Sequence, residues 1–249
     1  MIEKKEWFSE WFESPFYDLL YTNRNEEEAA FFLDNLLKCT QLKQGAKILD
    51  LPCGKGRHAI YLHQKGFDVL GADLSERSIS FAKQFETKGL RFRVHDMRDP
   101  IPESAFDLAL NLFTSFGYFE AHEDNLKVLT SISESLKPES IFVLDYLNGE
   151  MTRRHLVARE EKQEEGISFH IQRTIKEDFV IKHIRVEKND TAEFFHYQEK
   201  VRLFSLPEFE ELFAKAHLTL RQVAGNYALE PYNPGHSERL ILIASKQTH

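Results

Sequence analysis

The chain has 249 residues, 42% of them hydrophobic and 29% charged, a texture that fits a soluble globular protein with a core closed without disulfide or metal staples. Its 32 Lys and Arg against 40 Asp and Glu leave a net charge of −8, which argues against a body built to grip a polyanion. Cys39 and Cys53 are too few for a disulfide framework or a zinc site, and no apolar run reads as a signal peptide or a membrane span. A cytoplasmic protein is expected, with no metal, no membrane contact and no nucleic-acid partner.

Residues 1–44 are acidic, aromatic and helix-like. Trp7, Phe8, Trp11 and Phe12 fall on one side of a helix and read as a packing face. Residues 26–38 predict a second helix, with Asn25 as its cap, Glu26, Glu27 and Glu28 at the positive end of the dipole, and Ala29, Phe32, Leu33, Leu36 and Leu37 as the apolar face. Residues 47–147 then alternate strand and helix. Strands are predicted over 47–51, 68–73, 90–95, 106–113 and 140–147. Helices are predicted over 58–65, from a cap at Ser75, and over 122–136, the last stopped by Pro138. Such alternation implies a parallel sheet with right-handed crossovers.

The texture changes after Asn148. Runs at 159–165, 167–176, 179–188 and 192–204 are strand-like, with turns at Glu165-Gly166, Glu177-Asp178 and Asn189-Asp190. Phe195, Tyr197, Val201 and Leu203 alternate with His196, Gln198, Lys200 and Arg202, which predicts one dry and one wet face. The charged run 153–165 reads as a solvated surface. Residues 206–216 return to helix, and 219–227 and 239–245 to strand.

The stretch that carries chemistry is Ile48-Leu-Asp-Leu-Pro-Cys-Gly-Lys-Gly-Arg-His58, a buried strand that ends in a glycine turn and opens a helix. Gly54 and Gly56 permit backbone angles closed to other residues and let a ligand touch the main chain. Gly54-x-Gly56-x-x-Ala59, with Asp73 downstream, also fits a dinucleotide fingerprint, so a nicotinamide-dependent oxidoreductase is one reading. Asp50 counts against it, because a carboxylate beside a pyrophosphate is electrostatically poor. It suits an ammonium group or a ligand without phosphate.

The same stretch resembles the glycine motif of class I S-adenosylmethionine-dependent methyltransferases. Gly71-Ala-Asp73-Leu-Ser75 looks like their acidic loop after the second strand, His95-Asp96-Met97 like the adenine loop, and residues 106–113 like the motif beneath the reacting centre. Pro52 departs from the usual glycine and supplies no N–H. The resemblance is to the small-molecule type with an inserted antiparallel sheet. It implies an α/β fold: a Rossmann-like seven-stranded sheet with the last strand antiparallel. Residues 1–44 form a helical lid, 45–150 and 205–249 the cofactor domain, and 151–204 the inserted sheet over the acceptor pocket.

The resemblance also implies roles. Asp73 would take both ribose hydroxyls, Leu74 and Met97 would clasp the adenine, and Asp96 would accept from its amine. Pro52, Cys53, Gly54, Gly56, His58, Ser75, Arg98, Asn111, Leu112 and Phe113 would complete the S-adenosylmethionine site with Asp50. The segment Phe16-Tyr17-Asp18-Leu-Leu-Tyr21-Thr-Asn-Arg24 is similar to lids of such enzymes, with Tyr17 and Tyr21 over the cationic sulfonium and Arg24 on the cofactor carboxylate. Ser115, Phe116, Tyr118, Ser237 and Arg239 would face a small-molecule acceptor with a nucleophilic nitrogen or oxygen. Tyr21 and Tyr118, and after them His196, are candidate catalytic bases. A non-catalytic binding protein of the same fold is the further alternative, and a monomer or homodimer is expected.

Overall fold

The computed structural model describes residues 6–21, 26–191 and 193–248. Two short helices, α1 (Trp7–Glu13) and α2 (Pro15–Leu20), precede α3 (Glu26–Thr40). Then come β1 (Lys47–Asp50), α4 (Arg57–Gln64), β2 (Asp68–Asp73), α5 (Glu76–Ala82), β3 (Leu90–Val94) and β4 (Phe106–Asn111). The body continues with α6 (His122–Ser135), β5 (Leu136–Leu147) and α7 (Gly149–Arg154). Strands β6 (Arg159–Glu164), β7 (Ile167–Lys176), β8 (Phe179–Lys188) and β9 (Phe194–Arg202) follow, and α8 (Leu206–Lys215), β10 (Leu218–Ala224) and β11 (Arg239–Lys246) close the chain.

The main sheet has seven strands in the order β10-β11-β5-β4-β1-β2-β3, and β11 alone runs against its neighbours. Successive strand residues face opposite sides, so Ile48 and Leu49 enter different cores. On one side α3, α4 and α5 pack Phe32, Leu36, Leu62 and Ile79 onto Ile48, Val69, Leu108 and Ile241. On the other, α6 and α8 pack Leu129, Ile132, Phe209 and Phe213 onto Leu49, Leu70, Phe142 and Leu242.

Several expectations shift in detail. The cap assigned to Asn25 lies outside the described residues, as does Arg24. Pro138 does not fall in a loop. Helix α6 ends at Ser135, and Pro138 sits in the first part of β5, where the pairing to β4 jumps from Phe106↔Leu136 to Leu108↔Ile141, so its missing N–H leaves no ladder bond unmade. The charged stretch after Asn148 begins with a helix the sequence pattern did not announce. Asn148 caps it, its side-chain oxygen accepting from Glu150 N at 3.1 Å and Met151 N at 3.4 Å.

Strands β6, β7, β8 and β9 form a separate antiparallel sheet in sequence order. Its dry face, Phe169, Ile171, Ile184 and Val186, is covered by Trp11, Phe16 and Leu20 of α1 and α2. No helix among the described residues is long and apolar enough to cross a membrane.

Candidate active site

Ligands of open parallel sheets bind beyond the carboxyl ends of the strands, and here a cavity of about 740 Å³ opens there, past β1, β2 and β4. Its floor is the turn after β1. Gly54 has φ +54°, and a Cβ built on it would meet nothing within 4 Å, so its open side gives onto free space. The Gly54 N–H donates to Asp73 Oδ2 at 2.7 Å, and the Ser75 N–H donates to Oδ1 at 2.9 Å. Two main-chain donors thus aim one carboxylate at the end of β2. Burial pushes the Asp73 carboxyl up and these two N–H groups oppose the shift.

Gly56 serves a different purpose from the one expected. A Cβ there would come within 2.6 Å of the Phe92 ring, so this glycine, at φ +83° and capping α4, gives room to the core and does not line the cavity. Four other residues expected at the cofactor also stay out of the lining. Ser75 caps α5, its Oγ accepting from Ser78 N at 3.0 Å. Asn111 reaches Ser115 O and fastens the loop after β4. Arg98 binds Asp96 with Nε and Nη2 and Glu6 with both terminal nitrogens, tying α1 to the loop after β3. Asp50 is wholly buried one layer below the turn. The Ala59 amide lies close enough to favour its charge, yet neither oxygen meets a partner in hydrogen-bonding geometry. Burial, and then the charge of Asp73, push its pKa to about 8.

The remaining cofactor candidates do converge. Tyr17, Tyr21, Pro52, Cys53, Gly54, His58, Asp73, Leu74, Asp96, Met97, Leu112 and Phe113 all line the cavity. The Leu51–Pro52 peptide is cis. Burial pushes the Cys53 thiol up, so it stays protonated. Burial pushes the Asp96 carboxyl up, the Arg98 guanidinium pulls it down further, and the balance lies below the usual carboxylate range.

The loop after β4 carries the least relaxed backbone of the site. Phe113 and Thr114 are both left-handed, at φ +57° and +60°. A buried carboxylate that the sequence reading passed over, Asp145 at the end of β5, holds them there. Asp145 Oδ2 accepts from Phe113 N at 2.8 Å, its main-chain oxygen accepts from Thr114 N at 3.0 Å, and Arg239 Nε donates to Oδ1 at 2.8 Å. Arg239 also donates to Thr114 Oγ1 at 2.9 Å. The Phe113 ring consequently stacks on His58, centroids 5.0 Å apart and nearly parallel, with the Arg57 guanidinium 5.1 Å from the same ring.

Of the acceptor candidates, Ser115 and Tyr118 line the cavity. Phe116 does not, being fully buried against Tyr146, Phe204 and Phe209. Arg239 is spent on Asp145, and Ser237 Oγ accepts from Asn233 N at 2.8 Å in its own loop. The Tyr118 hydroxyl donates to Thr114 O at 2.8 Å, which points its proton at the main chain. His196 lies on the outward face of β9, paired with Arg185, and does not line the cavity.

Helices α1 and α2 form the opposite wall. Phe8 and Phe12, read from sequence as packing only, line the cavity with Tyr17, Tyr118 and Phe119, while Trp11 points away into the sheet. Phe12 meets Tyr17 at 5.0 Å and Tyr118 at 5.6 Å between centroids. Asp18 pairs with Lys55 of the glycine turn at 3.0 Å and with Arg77 of α5. Among the described residues from 151 to 204 none lines the cavity; the inserted sheet seats the helices that do.

A family profile described as a methyltransferase domain matches residues 42–200. The chain belongs to the methyltransferase family. It is 30% identical over 214 residues to the Bacillus subtilis (strain 168) putative methyltransferase YqeM, covering 82% of this chain and 86% of that one. It is 28% identical over 131 residues to the Streptomyces venezuelae dTDP-3-amino-3,4,6-trideoxy-alpha-D-glucopyranose N,N-dimethyltransferase, about half of each chain (52% and 54%). The fold is that of an S-adenosylmethionine-dependent methyltransferase from Clostridium acetobutylicum ATCC 824, with TM-score 0.79, 20% identity, and 94% and 97% of the two chains covered. S-adenosylmethionine is the cofactor of this methyltransferase family, and the residues present fit it: a carboxylate oriented by two main-chain donors, a glycine open to the cavity, and aromatic rings along the opposite wall.

Proposed function

We propose that this protein transfers a methyl group from S-adenosylmethionine to a nitrogen, or less readily an oxygen, of a small-molecule acceptor. The observation that carries the reading is Asp73, held by two main-chain N–H groups at the lip of an open glycine turn. When bound, the cofactor supplies an electrophilic methyl on a sulfonium. The chain's own residues bind, orient and dry the site. Asp73 accepts from the ribose hydroxyls as a charged bidentate acceptor. Leu74 and Met97 clasp the adenine, with Asp96 beside them as an acceptor already neutralised by Arg98. Phe12, Tyr17 and Tyr118 offer faces to a cation and keep water out.

Neither tyrosine expected as a base is set to take a proton: the Tyr118 hydroxyl donates to Thr114 O and the Tyr21 hydroxyl to Glu199. The rate then rests on orientation, which can supply ~7–11 kcal/mol. Such a site suits an amine that reaches it neutral. Amine chemistry is supported by the amino-sugar relative, and a small acceptor by the cavity of about 740 Å³ and the net negative charge of the chain. The proposed organisation is a lid in residues 1–44, a cofactor domain in 45–150 and 205–249, and a lid seat in 151–204. Operation in the cytoplasm belongs to the same proposal.

The test is transfer of labelled methyl from S-adenosylmethionine to two matched panels, small primary amines including nucleotide-linked amino sugars, and their hydroxyl counterparts. Label in the amines supports the reading. Label in the hydroxyl compounds alone reverses the preference, and label in neither, with the cofactor bound, favours a non-catalytic binding protein.

A further inference from the structure

One charged cluster takes no part in the site described above. It lies between the lid and the inserted sheet. Glu199 of β9 and Lys182 of β8 are cross-strand partners, and their side chains pair at 3.3 Å on the sheet's dry face. They are 17% and 12% exposed, amid the apolar seat for α1 and α2. Glu199 Oε1 accepts from two different lid elements, Trp11 Nε1 of α1 at 2.7 Å and the hydroxyl of Tyr21 just past α2 at 2.5 Å. Lys182 Nζ donates to the same Tyr21 hydroxyl and lies 4.7 Å from the centre of its ring. Burial pushes the Lys182 pKa down and Glu199 opposes the shift.

A buried ion pair is a poor way to add stability, because desolvation offsets most of its attraction, and apolar residues of the same volume hold two surfaces together as well. The apolar contacts of Trp11, Phe16 and Leu20 already dock the helices on the sheet. What the pair adds is direction. One carboxylate fixes the register of both helices, and Tyr21, which lines the cavity, is gripped at its hydroxyl from two strands. We infer that Glu199, supported by Lys182, is a positioning residue that holds Tyr21 against the cofactor cavity, so that the inserted sheet acts on the methyltransferase site through the lid. This rests on the cofactor occupying the cavity as proposed above.

The experiment is calorimetric binding of sinefungin, a non-reactive analogue of the cofactor, with a melting curve for every variant. Wild type must bind; if it does not, the cofactor reading fails and this inference with it. Tyr21→Phe keeps the ring and removes the grip, and Glu199→Gln weakens the grip from the other side. Each should lower affinity about tenfold, the scale of one hydrogen bond to a charged group, and the double variant should lose no more than either alone. Glu199→Leu alone leaves Lys182 buried and unpaired and is expected to fold poorly. Glu199→Leu with Lys182→Met replaces the pair by apolar side chains and should melt at or above the wild-type temperature while binding as weakly as Tyr21→Phe. If that folded double variant binds sinefungin like wild type, or if Tyr21→Phe does, the cluster is a fastener only and the inference is overturned.

Discussion

The two walls of the cavity are held by different physics. On the sheet side, position comes from main-chain donors on buried or half-buried carboxylates: Gly54 and Ser75 on Asp73, Phe113 on Asp145. On the lid side it comes from aromatic edges around Tyr118 and from ion pairs open to water, Asp18 with Lys55 and Arg77, Glu6 with Arg98. Main-chain hydrogen bonds inside a closed core open only when the core opens, whereas solvated ion pairs are individually weak and screened by salt. The sheet wall is therefore set before any ligand arrives. The lid wall is the part that can part from it, carried on a separate small sheet.

The sharpest way to break this contrast is at Asp145. Replacing it by Leu strands the Arg239 guanidinium and the Phe113 N–H, and should cost about 3–5 kcal/mol in urea unfolding, the scale for breaking a buried charged pair. Weakened sinefungin binding should follow, because Phe113 loses the anchor for its left-handed turn. A loss near zero would mean that the loop after β4 holds its shape unaided and that the sheet wall is not carboxylate-built.

A pH-dependent effect is expected at Asp50. Its folded pKa, raised to about 8 from 3.8, means the folded protein keeps a proton that the unfolded chain gives up. Stability from this group is complete at low pH, falls as pH rises through that window, and levels off above about 8. Asp50→Asn should flatten the decline, read as melting temperature against pH. An unchanged slope would show that Asp50 is ionised in the fold.

The smallest effect belongs to the lid. Asp18→Asn removes two partly exposed pairs worth ~0–1 kcal/mol each, so stability should hardly change. Sinefungin should leave faster at low salt, and the difference from wild type should vanish at high salt. A salt-independent change would place the Asp18 pairs with the sheet wall.

The same contrast explains what could be read in the sequence. The α/β order, the inserted sheet and the glycine turn after β1 follow from short-range signals, period-2 runs, glycine turns and caps, whereas the reversed last strand and the role of Asp73 come only with the family resemblance. Asp145 had a local signal too, a lone acid in the apolar run Phe-Val-Leu-Asp-Tyr-Leu, of the kind that made Asp50 conspicuous. Glu199 shares the parity of Tyr197 and Val201 and so belonged to the dry face, though nothing local named Trp11 and Tyr21 as its partners. The resemblance places Arg239 and Ser237 at the acceptor; Arg239 lies instead in a brace that only the pairing of β11 with β5 creates, and Ser237 is held in its own loop. Gly56 could not be told from Gly54 without knowing where Phe92 lies.

The account stands on Asp73 holding an adenosyl cofactor. The most direct test is calorimetric titration of wild type and Asp73→Ala with S-adenosylmethionine, S-adenosylhomocysteine and NADH. The prediction is that both adenosyl ligands bind wild type, that the substitution weakens them about a hundredfold, the scale of a charge-assisted bidentate contact, and that NADH does not bind. Tight NADH binding, or adenosyl binding indifferent to Asp73, would contradict it.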